Sequence, residues 1–191
     1  MKTGCVLMAA GTASRFGENK LLYAIDGRAM IEWALLAAPA SLFDRAIAVV
    51  SDPAVARIAA GAGYDCLFNP NPAAGQGGTV SLGASAMDGM DAALFSVADQ
   101  PYLTIDSVRR VLAAFAPRRV VALAFEGRRG TPVLFPADLL PALAALAPEQ
   151  TGKTVIERHL KRLVLVEAVS ARELRDVDTK GDVLGDGDGG R

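Results

Sequence analysis

Residues 7–22 read LMAAGTASRFGENKLL, and this stretch decides the fold. An apolar run from Cys5 to Ala9 has the composition of a covered strand. It breaks at Gly11 into a loop of small residues that carries Arg15, Gly17 and Lys20. Glycines let backbone N–H groups come close to an anion, and the two cations add charge-assisted hydrogen bonds. The spacing fits neither familiar phosphate loop. A dinucleotide fingerprint needs G-x-G-x-x-G, and GTASRFG lacks the first glycine pair. A P-loop has four residues between its glycines and then Lys-Ser/Thr. Here five residues separate Gly11 from Gly17, and Lys20 follows three places later. The alternatives are an ordinary glycine-rich turn and an anion loop of another kind.

Working outward, strand candidates recur at Ala46–Val50, Cys66–Phe68, Ala92–Val97, Val120–Phe125, Val133–Phe135 and Leu163–Val169. Several are near-continuous apolar runs, as expected of strands covered on both faces. Between them, AMIEWALLAA places Ile31, Leu35 and Leu36 on one helical face, and IDSVRRVLAAFA does so with Val108, Val111, Leu112 and Phe115. Asp52 before Pro53 reads as an N-cap with proline at the first helical position, and Thr104 and Asp106 offer a similar start. Alternating strands and helices predict an α/β fold, a mostly parallel sheet with helices on both faces. One domain over residues 1–183 is expected, followed by a Gly/Asp-rich disordered tail over 184–191.

Bulk composition agrees. The 191 residues suit a single α/β domain, and 51% hydrophobic with 21% charged residues exclude a mostly disordered chain. The net charge of −1 gives no general attraction to nucleic acid or to a membrane surface. No run approaches the roughly 20 apolar residues of a membrane span, and the apolar N-terminal run is too short for a signal peptide. Cys5 and Cys66 lie in strand-like runs with no metal or disulfide spacing, so both are read as buried free thiols. A soluble, cytoplasmic protein is expected.

Ligands of such sheets bind beyond the carboxyl ends of the strands, and the unusual polar residues fall there. Asp99 ends an apolar strand in LFSVADQPYL, well placed to hold Mg²⁺ on nucleotide phosphates. In NPNPAAGQGGTVSLGASAM the backbone N–H groups around Gly77, with the Thr79 and Ser81 hydroxyls, offer a seat for a base or ribose. Asp176 and Asp178 occupy alternate positions of DVDTKGDV, and one of the two, Asp178 ahead of Asp176, is assigned as a second carboxylate for the metal.

Singly these are weak signals; in order they resemble a known set. MAAGTASRFGENKLL, GQGGTVSLGASA, VADQPYL, RRGTPVLFP and DVDTKGDV resemble the motifs of the MobA-like nucleotidyltransferases, closest to the molybdenum cofactor cytidylyltransferase (MocA-type) branch. The resemblance spans Val6 to about Val183. It implies a Rossmann-like nucleotidyltransferase fold and transfer of a nucleotide from an NTP to a phosphorylated acceptor, releasing pyrophosphate. Carried onto matching positions, Ala9, Ala10 and Gly11 contact the nucleotide, Arg15 and Lys20 bind the triphosphate, and Asp99 binds Mg²⁺. Gly130 and Pro132 of GTPVLFP lie beside the acceptor. The AAG and DQP forms resemble the CTP-using branch more than the GTP-using one. Molybdopterin is the acceptor implied, with a molybdoenzyme as recipient of the product.

The chain departs from the family in one segment. Where the cofactor enzymes carry L-x-G-D-x-G-A-R, it reads LAPEQTGKTVIERHL, with Gly152 as the one match and Glu149 and Lys153 nearby. That leaves two further readings: a nucleotidyltransferase for a sugar or polyol phosphate, and a non-catalytic accessory protein of molybdenum hydroxylase maturation. The chemistry itself needs no general base, because an attacking phosphate oxygen is already anionic. His159, the single histidine, is accordingly read as a surface or helix-packing residue.

Overall fold

The computed structural model describes residues 1–11 and 19–183; Arg15, Gly17 and the segment 184–191 lie outside the described residues. The chain opens with β1 (Thr3–Ala9). A short hairpin of β2 (Ala24–Ile25) and β3 (Arg28–Ala29) leads into α1 (Met30–Ala37), then β4 (Arg45–Val50), α2 (Pro53–Gly61) and β5 (Asp65–Phe68). Next come α3 (Gln76–Ser85), β6 (Ala92–Val97), α4 (Ile105–Ala113), β7 (Val120–Phe125) and β8 (Arg128–Pro136). Helices α5 (Leu140–Ala144) and α6 (Gly152–Arg158) precede the last strand, β9 (Leu163–Glu167).

Seven strands form one sheet in the order β5-β4-β1-β6-β8-β7-β9. All neighbours are parallel except where β8 pairs antiparallel with both β6 and β7. The cause is local. Glu126 and Gly127 both take positive φ (49° and 74°) between paired Phe125 and Arg128, the conformation of a type I′ hairpin. That turn starts β8 at Arg128, five residues before the expected Val133. It also brings the amino end of β8 to the same edge as the carboxyl ends of β1 and β6. Asp26-Gly27 (φ 49° and 78°) makes the same kind of turn between β2 and β3, a hairpin the sequence reading missed.

The strands alternate between two cores, as the two-residue period of a pleated strand requires. Cys5, Leu7 and Ala9 of β1 pack with α1, α2 and α4; Val6 packs with α3, α5 and α6. Helices therefore cover both faces, as expected. Helix α3 lies so close to β1 that a Cβ on Gly83 would stand 2.3 Å from a Val6 methyl. Asp52 caps α2, accepting from the Ala54 and Val55 N–H groups, and Thr104 caps α4. Two local expectations need correction. Leu36 is half exposed, because α1 buries Met30, Ile31, Ala34, Leu35 and Ala37 instead. Cys66 is only partly buried, on edge strand β5; Cys5 is fully buried. Burial pushes the Cys5 thiol up to about 12, against a lowering contact with the Tyr64 hydroxyl.

Among the described residues no helix is long and apolar enough to cross a membrane.

Candidate active site

Two cavities open along the carboxyl edge of β1 and β6, with Met8, Gln76, Val97 and Asp99 lining both. The smaller, about 330 Å³, is walled by Ala10, Gly11, Lys20, Leu21, Pro72, Ala73, Gly75 and Thr79. The larger, about 420 Å³, has an apolar side of Val80, Phe95, Val133, Phe135 and Ile156, with the two phenylalanine rings edge to face at 5.6 Å. Its polar side carries Gln100, Arg129, Thr131, Thr151, Lys153 and Asp176.

Lys20 is fixed from below. It opens a 3-10 turn, Lys20–Leu22, whose Leu21 is buried and whose cap, Asn19, accepts from the Leu21 N–H at 3.1 Å. Asn19 also hydrogen-bonds Asp52, and that bond, against slight burial, holds the Asp52 carboxyl below its ordinary range. So anchored, the Lys20 ammonium donates to Asp99 and to Asp178, each at 2.8 Å. Burial pulls its pKa down, but the bonds and charges of Asp178 and Asp99 outweigh that and raise it. Lys20 stays charged at neutral pH.

Asp178 and Asp176 reach this edge on a chain segment that crosses it after β9. Residues two apart in an extended segment share a side. Val177 between them is fully buried, and its N–H donates to the Asp99 carbonyl at 2.9 Å. Both carboxylates therefore face the site, which corrects the expectation that only one would. Asp178 meets Lys20, and Asp176 accepts from the Gln100 amide at 2.9 Å. Burial, followed by the Asp99 charge, pushes the Asp176 carboxyl above its ordinary range.

The expected nucleotide contacts divide. Ala10, Gly11, Lys20, Thr79 and Asp99 line the smaller cavity, and no described atom lies within 4 Å of where a Gly11 Cβ would stand. Thr79 is buried and accepts from Asn69 Nδ2 at 3.0 Å. Three residues serve packing instead. Ala9 points into the core against α1 and α2. The Ser81 hydroxyl donates to the Ala144 carbonyl at 2.5 Å, holding α5 to α3. The Gly77 N–H is spent on the Pro148 carbonyl at 3.0 Å, and a Cβ there would stand 2.0 Å from the Ala147 oxygen. Gly75 and Gly77 thus admit the 147–150 loop, a backbone approach that a side chain at either position would block.

Of the two residues expected beside an acceptor, Gly130 lines the larger cavity, whereas Pro132 is buried within β8. The sequence reading missed Gln76, Gln100, Arg129, Thr131 and Thr151 as site residues. Position beside a motif was the only signal any of them gave, as with Gln100 in VADQPYL. Lys153 and Gly152, in the departing segment, do reach this cavity. His159 ends α6, half-buried and away from both cavities.

The donor set bears on the metal. Mg²⁺ is commonly held by one or two carboxylates plus substrate phosphates and water. Asp99 and Asp178, drawn together on one ammonium, form such a pair. Among the described residues no group of three or more His, Cys, Asp or Glu side chains is placed to hold a metal ion. The arrangement fits a cation that arrives with phosphates.

Comparison with known proteins agrees with this fold. The chain is 29% identical to nicotine blue oxidoreductase of Paenarthrobacter nicotinovorans, covering 91% of each. It is 27% identical to the purine catabolism protein PucB of Bacillus subtilis, covering 91% of this chain and 90% of that one. Its fold matches a nucleotidyl transferase from Methanothermobacter with a TM-score of 0.82 at 24% identity, over 95% of this chain and 94% of the other. The MobA-like NTP transferase domain matches residues 5–163, and with an anion-lined strand edge between two cavities, the chain belongs to that family of nucleotidyltransferases.

Proposed function

We propose that the protein transfers CMP from CTP to the phosphate of a small acceptor, with molybdopterin the first candidate. The observation that carries this is the meeting of two cavities at Asp99, with Lys20 on one side and Arg129 and Lys153 on the other. The smaller cavity receives the nucleotide. Lys20 and, from the sequence, Arg15 neutralise the triphosphate, and Thr79 with the small residues Ala73 and Gly75 borders the nucleoside. The larger cavity receives the acceptor, its flat apolar part against Phe95 and Phe135 and its phosphate toward Arg129 and Lys153.

An acceptor phosphate oxygen attacks the α-phosphorus of the NTP. The bond from that phosphorus to the bridging oxygen breaks, and pyrophosphate leaves with the electron pair. The protein's work is to hold two anions that repel one another and to stabilise charge on the leaving group. Lys20 moves charge to the phosphates when they arrive, releasing Asp99 and Asp178. These two carboxylates would hold Mg²⁺, which supplies charge neutralisation at the phosphates. The CTP preference is supported by the AAG and DQP forms of the sequence; the acceptor class is supported by a cavity with one apolar and one cationic side.

Pyrophosphate release is the test, measured with each NTP, Mg²⁺, and either molybdopterin or a panel of sugar and polyol phosphates. Release with CTP and molybdopterin is expected. Release with CTP and only a phosphomonoester of the panel would move the acceptor, and tight CTP binding with no release would favour the accessory reading. One relative is named an oxidoreductase; redox turnover of a substrate without pyrophosphate release would favour that chemistry here.

A further inference from the structure

We infer that Gln100 is a positioning residue of the proposed reaction, on which this inference rests: it sets the carboxylate pair Asp99 and Asp178 and ties it to the Thr131 wall of the acceptor cavity. Gln100 is only 4% exposed, and its side chain makes three hydrogen bonds to two distant segments. Nε2 donates to Asp176 Oδ1 at 2.9 Å and to the Leu174 carbonyl at 3.3 Å; Oε1 accepts from the Thr131 hydroxyl at 2.8 Å.

These partners fix which way the amide points. Turned over, it would set Oε1 against a carboxylate and a carbonyl, two acceptors. No other side chain of this length gives both donors and an acceptor. Glutamate would oppose Asp176 with a second carboxylate, and methionine would take away the amide that Asp176 accepts from.

Consequences for the site follow from spacing. Asp176 and Asp178 flank the buried Val177, which is pinned to the Asp99 carbonyl. Once Gln100 fixes Asp176, the side of the segment that Asp178 occupies is fixed as well. The same amide holds Thr131, next to Gly130 on the acceptor wall. The Gln100 side-chain amide is taken up by Asp176, Leu174 and Thr131, and it acts through Asp176 and Thr131. The segment has other anchors. Glu173, buried, accepts from Thr104 Oγ1 at 2.9 Å and from the Val169 N–H at 3.0 Å. The crossing segment therefore stays seated when Gln100 is changed.

The experiment titrates Mn²⁺ into the full chain with a non-hydrolysable CTP analogue, followed by electron paramagnetic resonance. Thermal midpoints and the KM values for CTP and acceptor are measured alongside. Outer partners of metal ligands typically account for 10–100-fold in affinity, and Q100E is expected to weaken Mn²⁺ binding by roughly that factor. It should raise the acceptor KM more than the CTP KM. Gln100→Met removes the amide without adding charge and carries the same expectation. The double variant Q100E/D176N restores a donor–acceptor pair with its polarity reversed, and it recovers most of the lost affinity. Wild-type Mn²⁺ affinity in Q100E and Gln100→Met, or a double variant no better than Q100E, overturns the inference. Asp99→Asn is the reference: if it leaves Mn²⁺ binding intact, the metal reading beneath the inference fails instead.

Discussion

The two cavities that meet at Asp99 are built by different means. The smaller is made of backbone, small residues and one buried ammonium, on segments that follow β1 and β5 directly. The larger is made of side chains from β6, β8, α6 and the segment after β9, which the hairpin turn at Glu126-Gly127 and the chain crossing bring together. A triphosphate is the same in every NTP, and a short local motif suffices to hold it. An acceptor is particular. If the larger cavity takes it, its pocket draws on side chains far apart in sequence, which can be exchanged without altering the sequence that follows β1. The departing segment at 146–160 supplies Thr151, Gly152, Lys153 and Ile156 to that side.

The largest effect should fall where the cavities join. Asp99→Ala is expected to cut turnover by about a hundred- to a thousandfold, with the thermal midpoint little changed, measured as pyrophosphate release. A drop in both KM values with turnover preserved would break the assignment of Asp99 to the junction. Lys153→Ala separates the cavities. The loss of one charge-assisted contact raises the acceptor KM by roughly tenfold, while the KM for CTP stays put; a rise in the CTP KM instead would move Lys153 to the nucleotide. Ser81→Ala should do neither. It removes the bond to Ala144, costing about 1 kcal/mol of stability, and denaturant unfolding with steady-state kinetics would register the first change without the second.

The smallest effect lies outside both cavities and calibrates the fold. The Cys5 thiol stands at about 12 in the folded protein against 9.0 for a free thiol. Below that lower value the group is protonated in both states and contributes no slope. As pH climbs from 9.0 towards 12, the unfolded thiol ionises and the buried one does not. The fold therefore loses stability, at up to roughly 1.4 kcal/mol per pH unit. Cys5→Ala should flatten that part of the stability curve relative to wild type; equal slopes would contradict the burial of Cys5.

Much of the smaller cavity was legible in the sequence. Gly11 and Asp99 each follow an apolar run, and Lys20 lies in the loop that Gly11 opens; strand-end chemistry reads directly from such order. The strand-like periodicity also located β6 and β7 to the residue. The larger cavity was not legible for a topological reason. Nothing local in Glu126-Gly127 says which strand β8 will join, so Arg129 and Thr131 could not be placed beside Gln100. Ser81 and Gly77 misled because hydroxyls and glycines after a loop serve ligands and packing alike. Their partners, Ala144, Ala147 and Pro148, lie some 60 to 70 residues on. Asp176 and Asp178 read as a choice of one, although residues two apart in an extended segment share a side; the burial of Val177 shows which side that is.

The central claim is the division of labour between the cavities, and a crystal structure with Mg²⁺ and a non-hydrolysable CTP analogue tests it most directly. The account predicts the triphosphate against Gly11 and Lys20, the metal on Asp99 and Asp178, and the space beside Phe95 and Phe135 still open for an acceptor. A cytosine ring seated on Phe95 and Phe135, with the triphosphate directed at Arg129 and Lys153, would contradict it.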